Sequence, residues 1–252
     1  MNKIFAVSVF VFILFRTIYP QESSFYDAPL GGGIGYNPGW IMPKVDGVNS
    51  ILKNLDFPIA KSGGMYTSGI SGFLYLGILK NFRIGGFGYS GLESNSGQYP
   101  VPVLFMNDAP SPIENRQTDY SISGGGLTFE YTLPFIKDIA VSAGISAGRG
   151  SLNIKLYRNN GGMDWQTVIS SIANYRSNYL SLNNSFWLVS PTLNIEIPAY
   201  HMLCFRIGAG YQFTFGSNWT YDNDQNVSNA PSNINGNSFF IQTGIYVGLF
   251  SF

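Results

Sequence analysis

Charge is scarce in this chain. Of 252 residues, 14 are basic and 14 acidic, 11% together, against about a quarter in an ordinary soluble domain. The balance is neutral, which removes the electrostatic footprint that nucleic-acid binding requires. There is one cysteine, Cys204, so no intramolecular disulfide can form, and a lone thiol in an exported chain reads as a small buried hydrophobe. There is one histidine, His201, which leaves a Ser-His-Asp arrangement with a single candidate base. No Cys/His spacing suits a metal, so neither catalytic residue, metal nor cofactor is expected. Nor does any apolar run reach the roughly 20 residues that a membrane-crossing helix needs.

The longest apolar run, "IFAVSVFVFILF" at 4–15, follows the basic start "MNK". That order reads as a secretory signal peptide over 1–22, with residues 23–252 as the mature domain.

What the chain has in quantity is aromatic residues, 16%, and 30 glycines. They are arranged with a period of two, the mark of strands. In "CFRIGAGYQFTFGSNW" (204–219), Phe205, Ile207, Tyr211, Phe213 and Phe215 oppose Arg206, Gly208, Gly210, Gln212 and Thr214. The segments 124–133, 139–148 and 185–198 alternate in the same way. Their polar faces are Gly, Ser and Thr with isolated charges, too poor in Lys and Glu for a soluble surface. A barrel that turns its apolar face to lipid accounts for this, and glycine suits its narrow interior.

Eight strands are expected, over 28–37, 64–79, 81–93, 118–133, 138–157, 182–198, 201–218 and 237–252. Short joints (79–82, 133–138, 198–202) alternate with long segments (38–63, 94–117, 158–181, 219–236). Short periplasmic turns and long external loops with an even strand number are the rhythm of bacterial outer-membrane barrels. The fold class is therefore all-β, an eight-stranded antiparallel up-and-down transmembrane barrel. Two of its long extracellular loops are expected to carry short helices.

The chain ends "GIYVGLFSF", with Tyr246, Phe250 and Phe252 on one face. This resembles the carboxy-terminal signature of bacterial outer-membrane barrel proteins, except that Phe250 stands where Tyr is commoner. The resemblance implies the bacterial outer membrane as location, its lipids as surroundings, and a barrel assembly machinery that reads Tyr246, Phe250 and Phe252. If the two phenylalanines face lipid, Ile241, Ile245, Val247 and Leu249 turn inward, with Phe73 and Tyr75 joining them. Aromatic girdles are expected at both rims: Phe82, Tyr131, Phe135, Tyr200 and Phe252 below, and Tyr36, Trp40, Tyr157, Tyr179, Trp187 and Trp219 above.

Inner-face charges are few: Arg83, Glu130, Glu196 and Arg206. Buried ions must pair, so Arg83 is expected to meet Glu130 across neighbouring strands, and Glu196 to meet Arg206 diagonally. Two loop segments have helical spacing. The first carries Val45, Val48, Ile51, Leu52 and Leu55, and the second Trp165, Val168, Ile169, Ile172 and Tyr175. Each apolar stripe needs a cover, as a cap on the rim, a lid, or a partner's surface.

An eight-stranded barrel is too narrow for bulk diffusion. The expected function is structural or surface-interacting, through external loops above a largely closed lumen. One alternative is binding or transport of a small hydrophobic molecule through the barrel. Another is a lipid-modifying enzyme, for which His201 is the one candidate base.

Overall fold

The structure, a computed structural model, describes residues 31–79, 81–100, 113–133, 139–159, 166, 179–200, 202–222 and 225–249. The expected signal peptide, His201, Phe135, Phe250 and Phe252 lie outside these residues. So do Trp165, Val168, Ile169, Ile172 and Tyr175 of the second loop segment, and the side chain of Tyr200.

Strands dominate. β1 (Gly32–Tyr36) and β2 (Gly39–Pro43) form one wall strand interrupted at Asn37–Pro38, where proline has no N–H for the ladder. Next come helix α1 (Asp46–Asn54), β3 (Met65–Tyr75), β4 (Phe82–Pro100) and β5 (Ile113–Thr132). They are followed by β6 (Ala140–Asn159), β7 (Tyr179–Tyr200), β8 (Leu203–Tyr221), the two-residue β9 (Gln225–Asn226) and β10 (Ser238–Leu249). All neighbours are antiparallel. β10 pairs with β8 on one side and with β1 and β2 on the other, which closes a ring of eight strands.

The register sets the geometry of the ring. One row of partners runs Ile41, Phe240, Gly210, Thr192, Gly144, Glu130, Arg83, Tyr75. The Tyr75 amide then bonds the carbonyl of Gly31, ten residues below the starting point on the same wall strand. A stagger of ten over eight strands tilts them by about 40°. A row therefore climbs by a little more than one residue per strand.

Three strands, β4, β5 and β7, are clearly longer than expected. β4 to β8 run 19 to 22 residues, where about 9–11 cross a bilayer. Half of the expected loop 94–117 is ladder, as are the edges of 158–181 and 219–236, with Pro100 paired to Ile113 and Tyr157 to Tyr179. The composition misleads because these upper strands present polar side chains outward. On β5, Tyr131, Phe129 and Leu127 face out, followed by Ser123, Ser121, Asp119 and Gln117. Its inner face reverses the order, from Thr132 and Glu130 below to Ile122 and Tyr120 above. β6 and β7 make the same exchange. The lower half is a membrane barrel, with its apolar face outward for about ten residues per strand, or about 25 Å at this tilt. The upper half is a soluble barrel standing on it.

The apolar core lies in that upper half. Tyr120, Ile122, Leu152, Ile154, Leu156, Phe186, Leu188 and Trp219 close around Val45, Val48 and Leu52 of the α1 region, with Phe57, Ala60 and Ile234. α1 thus fills the barrel mouth. Its Asp46 and Lys53 sit in the first and last turns, where each suits the helix dipole. Ile51 and Leu55, expected on the buried stripe, are exposed, because Val45, Val48 and Leu52 alone face the narrow mouth.

Trp219 is a second correction. Strict alternation places it on the outer girdle, yet it is buried in the core. The register between β7 and β8 shifts by one residue between Ser185 and Trp187, and Gly216 there has φ +70°. This bulge turns the rest of β8 to the opposite face.

Candidate functional site

The four inner charges converge in the lower barrel. Arg83 Nη2 lies 2.7 Å from Glu130 Oε2, and Arg83 Nη1 lies 2.7 Å from Glu196 Oε2. Arg206 donates two 3.1 Å bonds to the Glu130 carboxylate and also pairs with Glu196. The result is a closed cycle in which each ion touches both ions of opposite sign. Glu196 and Arg206 are direct register partners, as are Arg83 and Glu130, so the diagonal contact expected from sequence is replaced by a direct one.

The stagger explains why the two pairs meet. The row through Arg83 reaches β7 at Thr192, four residues above Glu196, and a climb over three strands offsets that amount. Aromatic faces complete the plug. The Arg83 guanidinium is 4.4 Å from the Phe73 ring centroid, and that of Arg206 is 4.7 Å from the Tyr246 centroid. Among these ions all side chains are at most 5% exposed.

Tyr246 reverses the expected facing of the last strand. It is 0% exposed, while Ile245, Val247 and Leu249 are 50%, 58% and 69% exposed. The β-branched and leucine side chains face lipid, and the face bearing Gly244, Tyr246 and Gly248 turns inward. The hydroxyl of Tyr246 accepts from Asn37 Nδ2 at 2.9 Å and bonds the Ser71 hydroxyl. Lipid would leave that hydroxyl without a partner, and this decides the facing. Phe73 and Tyr75 are buried inward, as expected.

Above the ion cycle lies a cavity of about 70 Å³, lined among others by Glu130, Arg206, Ser146, Thr192 and Gln212. Its ceiling is tied across the barrel by Tyr89, which donates to Gln212, while Gln212 Nε2 donates to the Gly236 carbonyl at 2.9 Å.

A second charged cluster anchors α1. The Arg116 guanidinium donates to the carbonyl of Asp56 at 2.8 Å, just past the helix end, and to Glu114 at 2.9 Å. Arg158 Nε donates to the same carboxylate at 2.8 Å. Bonding to Arg158 and then Arg116 holds the Glu114 carboxyl below its ordinary pKa, and the same bond raises that of Arg158. Asn49 bonds both the amide and the carbonyl of Ala60 at 2.9 Å, fastening the helix to the chain that follows it. Sequence reasoning missed this cluster. Glu114 and Arg116 continue the even-numbered inner face of Glu130 through a segment whose prolines and polar residues had marked it as loop.

The aromatic belts are only partly as expected. Phe82 and Tyr131 meet at the lower rim, their ring centroids 5.0 Å apart, and Trp40 and Trp187 are exposed at the upper one. Tyr157 and Tyr179 also touch, 5.0 Å apart, but high on the wall, eight residues beyond Arg149 on β6.

An exposed apolar belt, an even number of strands in a closed ring, and short turns at one end describe a bacterial outer-membrane β-barrel. No family model matches the chain, and no curated protein is similar to it in sequence. Solved structures similar to it include Ail, the attachment invasion locus protein of Yersinia pestis, at 8% identity and TM-score 0.43, covering 87% of this chain and 98% of that one. Neisserial surface protein A is 8% identical with TM-score 0.45, covering 89% and 98%. A major outer membrane protein from Thermus thermophilus is 6% identical with TM-score 0.45, covering 86% and 99%.

Proposed function

We propose that this chain is a closed, non-enzymatic barrel whose work is done outside the membrane, by the tall wall of β4–β8 and the loops it carries. The observation that supports this reading is the continuation of five strands well beyond the apolar belt, above a lumen sealed at two levels. The lower seal is the ion cycle of Arg83, Glu130, Arg206 and Glu196. The upper seal is α1, held by apolar packing and by Arg116. A lumen filled this way has no use as a pore, and a rigid elevated wall is a platform for contact.

The rival reading, a carrier of small hydrophobic molecules, has less support. The apolar core of the upper barrel is occupied by the chain's own side chains, and the cavity that remains, lined by Ile41, Phe87 and Phe240 as well as by Ser146, Thr192 and Gln212, has only about 70 Å³, well below the several hundred Å³ of an ordinary ligand site. The test compares cells displaying the full chain with cells displaying a chain that lacks 102–111, which follow β4 and precede β5 in the sequence. Unchanged heat-dependent gel migration with lost adhesion or cell–cell aggregation supports the surface role. Uptake of a small apolar dye that depends on the full chain supports the rival.

A further inference from the structure

The outward face of β6 passes through three chemistries in order. Val141, Ala143, Ile145 and Ala147 are apolar, Arg149 is cationic, and Ser151 and Asn153 are neutral hydrogen-bonding groups. The neighbouring strands repeat the outer two strata. Below the level of Arg149, Leu127 and Phe129 of β5 and Leu193 of β7 are exposed hydrocarbon. Above it, Ser123, Ser151 and Ser185 form one register row across β5, β6 and β7, with Ser123 and Ser151 hydroxyls 3.0 Å apart. Arg149 stands at the boundary. It pairs in register with Trp187, and its guanidinium lies 4.9 Å from that ring's centroid.

Among the described residues Arg149 makes no ion pair, unlike Arg83, Arg116, Arg158 and Arg206. The nearest charges on this outer face are the register partners Asp119 and Lys155, six residues higher on β6. A guanidinium stacked on an aromatic face keeps its donor edge free for an oxyanion. Its place at the membrane interface brings it to phosphate depth.

We infer that Arg149, Trp187 and the serine row form a docking face for one phosphorylated glycolipid of the outer leaflet. Arg149 takes a phosphate, the serines meet sugar hydroxyls, and the acyl chains lie along Ile145, Ala147 and Leu193. A plain phospholipid fits less well, since it would leave the hydroxyl row above the phosphate unused. Free phosphate would leave the apolar stratum unused.

Native mass spectrometry of the refolded full chain in detergent tests this, with three probes: diphosphorylated lipid A, dephosphorylated lipid A and phosphatidylglycerol. The wild-type chain is expected to retain diphosphorylated lipid A better than phosphatidylglycerol, which offers no sugar hydroxyls to the serine row, and about tenfold better than the dephosphorylated form, as one charge-assisted contact implies. Arg149→Gln removes that advantage while heat-dependent gel migration stays unchanged, and Lys155→Gln leaves it intact. Equal retention by the Arg149→Gln chain overturns the proposal. So does equal retention of phosphatidylglycerol, which would make the face a general anion contact, and so does an equal loss in Lys155→Gln, which would reduce the effect to net charge.

Discussion

Arg83 and Glu196 lie 2.7 Å apart across the lumen, although they stand on β4 and β7, three strands apart around the ring. Only the stagger of the barrel brings them to one depth, so their contact reports correct closure of the whole ring. With Glu130 and Arg206 they form a cycle that excludes lone charges. Removing one member leaves an unpaired buried ion, which typically costs about 3–5 kcal/mol.

Glu196→Gln should therefore lower the unfolding free energy of the refolded barrel, read from urea denaturation, by an amount in that range. The double change Arg83→Gln with Glu196→Gln should cost less than the two single changes added together. Strict additivity in this cycle would mean that the pair is not coupled.

The cap makes its own prediction. Leu52 is buried in the upper core while the opposite face of α1 meets solvent, so Leu52→Ala should cost about 2–5 kcal/mol. The loss should be local. Hydrogen exchange should rise at the amides of Asn49 and Leu55, with the ladders of β5 to β8 unchanged. Equal loss of protection throughout the ladders would show that α1 is integral to barrel closure rather than a cap upon it.

Acid should release the same cap. The carboxyl of Glu114 is held below its ordinary pKa of about 4.5 by Arg158 and Arg116. A group depressed in the folded state contributes stability that is fully present above its unfolded pKa and is lost as pH falls through the folded value. Limited proteolysis around 54–60 should be flat from pH 8 to about 5 and increase below about 4. Glu114→Gln should raise cleavage at neutral pH and abolish the pH dependence.

The lipid-facing assignment of the last strand can be read by fluorescence. Tryptophan placed by Ile245→Trp should be quenched strongly by brominated lipid in a bilayer. A tryptophan at Ser142, on the inner face of β6, should be quenched weakly. Equal quenching at both positions would contradict the inward turn of Tyr246 and its neighbours.

Much of this architecture was legible in the sequence because period-two patterning survives translation into a barrel unchanged. The eight strands, the short turns and the inward charges followed from it, and helical spacing marked the helix over the barrel mouth. Three things did not. The facing of β10 was ambiguous because aromatic and aliphatic residues occupy its two faces, and the tyrosine hydroxyl, which needs Asn37 and Ser71, decides the matter only in three dimensions. Trp219 was misplaced because a single-residue bulge at Gly216 inverts parity without a change in composition. The top of the wall, at 94–100, 113–117 and 179–181, was read as loop because its outer face is polar, whereas the inner face kept the same alternation from Glu130 through Tyr120 to Arg116.

The most direct test of a closed barrel is conductance of the refolded chain in a planar bilayer, with heat-dependent gel migration confirming that it is folded. The account predicts silence from the wild-type chain across the usual voltage range. Discrete, reproducible steps from folded wild-type protein would contradict it, since neither the ion cycle nor the cap leaves a continuous path for ions.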